Sequence, residues 1–399
     1  MTACRGHGSG GFAEELLLGF WGKTRGDEPV PVLHHMVRSA AVLEAFIVTR
    51  RETVIMELLA GPLSGDTEAT SALLRFVAAM HDIGKVSPGF QGKVATAMAD
   101  GLCGTFKIDN AAAFRSHHAE VSQWFVQAFL KKNVGLPASV AAALARVLGG
   151  HHGWYPRVQA SHSTRLEQGP WQDARELMAE VLMDLLGPTP EQWELIRRAD
   201  LPSQWLLLAT GLVTLVDWIA SSEDIFSDQE HLPRDMPLEE VYRRDLMRAG
   251  QVLSENGLDC PPLGMAREDF GHLFPGIEHA NRVQMQALQV VEEVPDSSFL
   301  LLEVPTGTGK TEAALAVAAR WIRSHAMVGL FFCLPTQATT NQMFARMEDY
   351  LRQLLDGELC ADLHLIHGRS ELSQAYRELQ QFQSQAESSV LQAHDWFRA

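Results

Sequence analysis

MHDIGKVSPGFQ, residues 80–91, sets an imidazole and a carboxylate side by side at the end of an apolar helical run. Upstream, Leu73, Val77 and His81 recur at helical spacing, so the buried face of that segment runs straight into His81. Gly84 is expected to stop the helix. Adjacent His81 and Asp82 can share one divalent cation or bridge two, offering nitrogen and oxygen donors at a fixed separation. A solitary His-Asp pair more often only caps its helix. What the rest of the chain brings to this pair therefore decides its meaning.

Four other stretches bring matching donors. His34 and His35 precede MVRSAAVLEAF, and His35 shares a helical face with Ser39, Val42 and Phe46, so it is expected to point inward while His34 points elsewhere. Ser116, His117 and His118 open another helix, where His118, Val121, Phe125 and Phe129 keep the period and turn His118 to the core. Val140, Leu144, Val147, Leu148 and His151 do the same on a helix ending GGHHGWYP, with His151 and His152 bracketed by glycines. Asp217 stands inside the apolar run QWLLLATGLVTLVDWIASSE, in line with Leu206, Thr210 and Val213. A buried carboxylate costs several kcal/mol unless it is paired, metal-bound or protonated. No lysine or arginine lies within a helical turn of Asp217, which makes a cation its expected partner.

His35, His81, Asp82, His118, His151, His152 and Asp217 thus each occupy a helix end or an inward face. Five imidazoles and two carboxylates suit two ions better than one. Nitrogen-rich ligation favours manganese, iron, cobalt or nickel over magnesium, which prefers oxygen. Two such ions would activate a water and steady the charge on phosphorus during phosphodiester hydrolysis.

These residues carry a resemblance. A histidine, HD-x-G-K, H-x-x-x-S from His118 to Ser122, HHG, and DW-x-x-S from Asp217 to Ser221 resemble the HD nuclease domain of the CRISPR-associated type I nuclease-helicases. The HHG, DW-x-x-S and FQGK pieces separate this branch from the wider HD phosphohydrolases. The resemblance implies that His35, His81, Asp82 and Asp217 hold one metal and that Asp82, His118, His151 and His152 hold the other. Asp82 would bridge the two, and His81, Asp82 and Lys85 would form the catalytic core, with Lys85 on the scissile phosphate. The pattern does not use His34 or His117. Lys93 reads as a solvated basic residue of the loop.

A second functional stretch follows. SFLLL, residues 298–302, reads as a buried strand, then EVPTGTGKT as a loop and EAALAVAARWI as a helix, the context a phosphate-binding loop requires. Backbone N–H groups and the helix N-terminus would cradle phosphates, Lys310 would reach them, and Thr311 would ligate magnesium. Val304 stands where the strict pattern has glycine, but residues 305–311 match the P-T-G-x-G-K-T of superfamily 2 helicases. By that resemblance ATP is held by Gln284, Thr306, Gly307, Thr308, Gly309, Lys310 and Thr311, with Gln284 in a glutamine motif that reads adenine. VGLFFCLPTQATTNQMFARM, with its strand ending at Pro335-Thr336, resembles the next helicase motif, and LIHGRSEL also has family character.

The expected fold is multidomain: an all-α HD-type helical domain followed by an incomplete α/β RecA-like domain. Boundaries fall at 1–225 for the nuclease, 226–269 for a linker and connecting helix, and 270–399 for the partial RecA-like part. No Asp-Glu dipeptide follows Lys310, so the D-E-x-H motif and a second RecA-like domain are missing. ATP hydrolysis and translocation by this polypeptide alone are therefore not expected, whether it is a split gene, a natural truncation or an excised fragment; for a split gene, the expected partner is a separate chain supplying the rest of the helicase.

Composition sets the outer bounds. The 399 residues are 46% hydrophobic and 21% charged, with room for two or three domains. A formal charge of -16 means that any nucleic acid is held by a local groove or by metal ions, not by a general positive field. The five cysteines, Cys4, Cys103, Cys260, Cys333 and Cys360, form no C-x-x-C, which fits free thiols in a reducing compartment. The cytoplasm is expected, with no signal peptide. The apolar run around Asp217 falls short of the ~20 residues of a membrane span and reads as a core helix, with no membrane partner.

The activity expected is metal-dependent degradation of single-stranded DNA, endo- or exonucleolytic, on recruitment by an RNA-guided type I surveillance complex. The competing expectations are a phosphohydrolase acting on nucleotides and a non-catalytic binding module.

Overall fold

The computed structural model describes residues 16–25, 28–49, 54–99, 102, 104–108, 117–156, 169–222, 226, 236–255, 269–294, 298–324, 329–334, 337–355, 361–363 and 391–392. Ser116, Pro335-Thr336, LIHGRSEL and all the cysteines except Cys333, a free exposed thiol, lie outside them. The chain forms two compact units, divided at Leu253 and Ser254.

The first unit opens with an antiparallel hairpin, β1 (Trp21–Arg25) and β2 (Glu28–Pro31), which feeds directly into α1 (Val32–Val48). Helices α2 (Val54–Ala60), α3 (Thr67–Met80), α4 (His118–Phe129), α5 (Ala138–Gly150), α6 (Pro170–Leu186), α7 (Pro190–Arg197), α8 (Ser203–Ser221) and α9 (Leu238–Glu255) follow. Local chemistry sets several of these ends. Asp66 caps α3 by accepting from the Ala69 amide at 2.8 Å, and Thr189 and Gln192 form a reciprocal capping box with Pro190 at the first position of α7.

Helix α1 is the centre of the bundle and packs against α3 and α8. It is buried on almost every side, so His34 is buried along with His35. The inference that only one of the two histidines faces inward fails because the turn of this helix that carries them is buried on every side, residues 32–43 all being buried. Helix α8, long and apolar enough by length and composition to cross a membrane, packs on α1, α5, α2 and α3. Helix α9, read from sequence as part of a connection, packs on α1 through Arg38 with Asp245 and through Glu44 with Tyr242.

Gly84 does not stop α3, which ends at Met80 with His81 as its C-cap. A tight 3-10 turn, Ile83–Lys85, follows. Glycine is required there for a different reason. A Cβ at 84 would lie 2.0 Å from the His118 carbonyl and 2.6 Å from the Ser122 amide, so this turn can lie against α4 only without a side chain.

In the second unit, α10 (Arg282–Glu293) begins in a capping box of Asn281 and Gln284 and packs on α11 (Lys310–Ser324) through Ala287, Val291, Ala313 and Val317. Helix α12 (Gln337–Leu355) contributes Met343, Phe344, Met347 and Tyr350 to a separate apolar cluster, and the Tyr350 hydroxyl donates to the Leu315 carbonyl at 2.9 Å. A two-residue parallel ladder joins β3 (Ala361–Asp362) to β4 (Leu391–Gln392). SFLLL is not the buried strand its composition suggests. Leu300 and Leu302 pack on the α10–α11 cluster, whereas Phe299 is 91% and Leu301 74% exposed, because no strand pairs with this segment among the described residues. The segment 329–334 behaves alike, with Phe331 78% exposed.

Candidate metal centre

The HD pair sits where α3 ends against α4, α5, α1 and α8. His81 is fully buried, and its Nδ1 donates to the Ala78 carbonyl at 2.7 Å, which aims Nε2 into the bundle. His151, the C-cap of α5, repeats the device with the Leu148 carbonyl. A ring hydrogen bond of this kind fixes the tautomer and leaves the other nitrogen free for a ligand.

Three side chains, His35, His81 and Asp217, converge on one side of Asp82. His35 Nε2 lies 3.2 Å from Asp82 Oδ2 and 3.2 Å from Asp217 Oδ1, and His81 Nε2 lies 3.4 Å from the same two oxygens. The two imidazole nitrogens are themselves 3.4 Å apart. On the other side, Asp82 Oδ1 faces His118 Nε2 at 3.4 Å and His151 Nε2 at 3.8 Å. Each set, His35-His81-Asp82-Asp217 and Asp82-His118-His151, has ligand atoms within 4.8 Å of one another. His152 is brought to His118, Nε2 to Nε2 at 2.8 Å, and groups with His118 and His117. All seven residues singled out from sequence therefore meet in one region, and His117, which the motif pattern leaves out, meets them there. Its signal in the sequence was its place directly before an inward-facing histidine at a helix start.

This donor set fits cations. Both Asp82 oxygens and His151 Nε2 are buried and accept no hydrogen bond of acceptable geometry, although the Lys85 ammonium lies 2.6 Å from Asp82 Oδ2. Buried acceptors left in this way are costly, and a bound cation satisfies them. Burial opposes charge on His81, but Asp82 and Asp217 outweigh it and push its pKa up to about 10 in the metal-free chain. Asp82 and Asp217 stay well below the usual carboxylate range despite burial, Asp82 through Lys85 and His81, and Asp217 through His35 and His81. Burial, reinforced by the nearby His81, lowers His151 to about 4, and burial likewise holds His118 well below the ordinary imidazole value, so both present neutral lone pairs at neutral pH.

A supporting layer holds the donors in place. The Ser122 hydroxyl accepts from the Gly84 amide at 2.9 Å, which gives H-x-x-x-S its structural meaning. Gln91 of FQGK donates to the carbonyls of Lys85 at 2.9 Å and Trp21 at 2.8 Å, tying the Lys85 turn to β1. The Ser221 hydroxyl of DW-x-x-S donates to Asp217 Oδ1 at 3.2 Å. Thr214 donates to the His151 carbonyl at 3.0 Å. Gly149 and Gly150 leave no room for a Cβ beside Gln123 and Tyr155. Lys85 and Lys93 both stand over the Phe90 ring, and Lys93 is exposed as expected.

In the second unit the loop of residues 304–309 has Gly307 at φ +84° and Gly309 at φ +79°, a region that favours glycine. Lys310 donates to the carbonyls of Val304 at 2.8 Å and Pro305 at 3.4 Å. The Thr308 hydroxyl donates to the Pro305 carbonyl at 2.7 Å, Thr306 is exposed on the loop, and Thr311 lies in the first turn of α11. Gln284 is buried. It accepts from the Asn281 amide and donates to the Gly309 carbonyl at 3.3 Å, so it braces the loop.

A family model described as Cas3, HD domain, matches residues 21–226, and one for DEAD/DEAH box helicases matches residues 281–391. Over 375 residues the chain is 32% identical to the CRISPR-associated endonuclease/helicase Cas3 of Thermus thermophilus, an alignment covering 91% of this chain and 39% of the relative. The crystal structure of T. fusca Cas3-AMPPNP superposes with a TM-score of 0.73 at 26% identity, over 96% of this chain and 42% of that one. A chain of a CRISPR RNA-guided surveillance complex, pre-nicking, matches with a TM-score of 0.59 at 25% identity, over 84% of this chain and 39% of its own length. The chain spans about two fifths of the length of these relatives.

Proposed function

The chain belongs to the Cas3 family, and from that premise we propose that its first unit is a metal-dependent nuclease acting on single-stranded DNA. The observation that carries this reading is the convergence of His35, His81 and Asp217 on one side of Asp82 and of His118 and His151 on the other. Two divalent ions, of manganese, iron, cobalt or nickel, would supply an activated water and neutralise charge at phosphorus. His35, His81, Asp82 and Asp217 would hold one, and Asp82, His118, His151 and His152 the other. Lys85, on the same turn as Asp82, is assigned to the scissile phosphate, a group its ammonium can pair with in exchange for Asp82. The exclusion of water around the buried His81 and Asp82 strengthens each of these electrostatic contacts.

The functional division assigned is 1–225 for the nuclease, 226–269 for the connection and 270–399 for a RecA-like nucleotide-binding part. Residues 306–311 and Gln284 are assigned to ATP and its magnesium. The likeness to a chain of an RNA-guided surveillance complex supports recruitment of this chain by such a complex.

The test is incubation of the purified chain with circular single-stranded DNA and Mn²⁺ or Ni²⁺, beside a panel of nucleotides. Metal-dependent cleavage of the circle is expected, with EDTA abolishing it. Turnover of nucleotides with the circle left intact would overturn the assignment.

A further inference from the structure

His117 is the one histidine at this centre that neither the motif pattern nor the proposed ligand sets employ. It is the N-cap of α4, and its Nδ1 lies 3.3 Å from the Ala119 amide, from which it accepts. That bond leaves Nε2 free. The His117 ring stacks on His118 with centroids 4.5 Å apart and meets His152 edge-on at 5.0 Å. One ligand atom from each of His117, His118 and His152 lies within 4.8 Å of the others. His117 and His152 are exposed, whereas Asp82, His118 and His151 are buried.

The outer set, His117-His118-His152, therefore overlaps the buried trio Asp82-His118-His151 at His118 and shares His152 with the full ligand set proposed for the second ion. The inner set, Asp82-His118-His151, is buried and contains a carboxylate. The outer set is made of three imidazoles and opens to solvent. Imidazole donors without a carboxylate select borderline transition metals and are poor hosts for magnesium or calcium. His118 Nε2 faces both Asp82 Oδ1, at 3.4 Å, and His152 Nε2, at 2.8 Å, and a nitrogen that serves one set cannot at the same moment serve the other. The two positions are consequently alternatives for one ion and not independent sites.

We propose that His117, His118 and His152 form an outer cation station, from which a transition-metal ion passes to the inner set with His118 and His152 as the common ligands. This rests on the reading of the inner set as a metal centre. The ion would exchange waters for imidazoles at the mouth before it meets Asp82. The hydrogen bond between His118 and His152 would be given up to the ion, with its proton released to water, and no covalent bond changes.

The test follows Co²⁺ uptake by the metal-free full chain, by stopped-flow absorption, with equilibrium dialysis giving the final stoichiometry. The variant His117→Asn keeps a good N-cap acceptor, so the start of α4 is preserved, and circular dichroism checks the fold. His279→Asn, at an exposed histidine of the second unit, is the control. The wild-type chain and the control should show a saturable fast phase that excess Mg²⁺ does not suppress. His117→Asn should lose that phase and still reach the wild-type occupancy of the buried sets. Identical uptake kinetics in His117→Asn and the wild type would overturn the outer station and leave the inner centre standing. No uptake by any of the proteins would overturn both.

Discussion

Arg38 and Asp245 form a buried ion pair, Nε to Oδ2 at 3.2 Å, one helical turn beyond His35. The Arg38 guanidinium also lies 4.6 Å from the centre of the Phe226 ring. The pair fastens α9 to the helix that presents His35. Removing one partner leaves the other buried and unmatched, which typically costs about 3–5 kcal/mol. Asp245→Ala should therefore lower the stability of the first unit by that order, measured by urea denaturation. Asp245→Asn, which keeps an acceptor for Arg38, should cost much less. Equal losses in the two variants would show that packing, not the pair, secures this contact.

Within the centre, His81→Ala, Asp82→Ala and Asp217→Ala should each reduce metal-dependent cleavage of single-stranded circles to background while circular dichroism stays unchanged. Asp82→Ala should also remove both inner equivalents of bound metal in dialysis. His35→Ala should weaken one equivalent only.

The pH dependence follows from His81. Its folded pKa of about 10 exceeds the ~6.5 of an unfolded imidazole, so its contribution to stability is complete below the unfolded value and disappears as pH rises through about 10. Chemical denaturation of the EDTA-treated chain between pH 6 and pH 10 should show stability declining across that window. A metal ion at His81 displaces its proton, so apparent affinity should climb with pH over the same range, by up to about tenfold per unit for one proton. Calorimetry in buffers of different ionisation enthalpy would count the protons released.

Gly84→Ala would place a Cβ 2.0 Å from the His118 carbonyl. Overpacking of this kind costs typically ~1–3 kcal/mol, and here the strain falls on the turn that holds Asp82 and Lys85. Reduced thermal stability and weaker metal binding are expected together. Metal affinity at the wild-type level would show that the turn yields without moving the ligands.

Lys310→Ala should leave single-strand nicking intact, because the nuclease ligands all belong to the first unit. ATP and magnesium should raise the Tm of the wild-type chain and leave that of the variant unchanged. A fall in nicking would reveal coupling between the two units.

The centre was legible because its ligands lie on regular helices. His118 and His151 declare their direction through apolar residues three and four positions away, and His81 and Asp217 do the same through Val77 and Val213. Such periodicity reports which way a side chain points and nothing about what lies opposite. That is why the role of Gly84 was misjudged: the carbonyl that excludes a side chain there belongs to residue 118, which no local pattern connects to it. His34 was misplaced for a similar reason, since the enclosed first turns of this helix, residues 32–43, have no face to leave unused. Hydrophobic composition overstated the burial of SFLLL, because a strand buries both faces only when other elements cover it, and Phe299 and Leu301 have no such cover among the described residues. The part of His117 depends on three rings meeting across two helix ends, a coincidence in space that spacing along the chain does not encode.

Asp82 gives one oxygen to each of two ligand sets, and this narrows the routes by which such a centre can change over evolutionary time. Loss of a peripheral imidazole is a graded step that leaves a usable half behind. Loss of the shared carboxylate removes both halves at once and strands Lys85 as well. A substitution at His35, His118 or His151 touches only one of the two sets that meet at Asp82, whereas one at position 82 touches both.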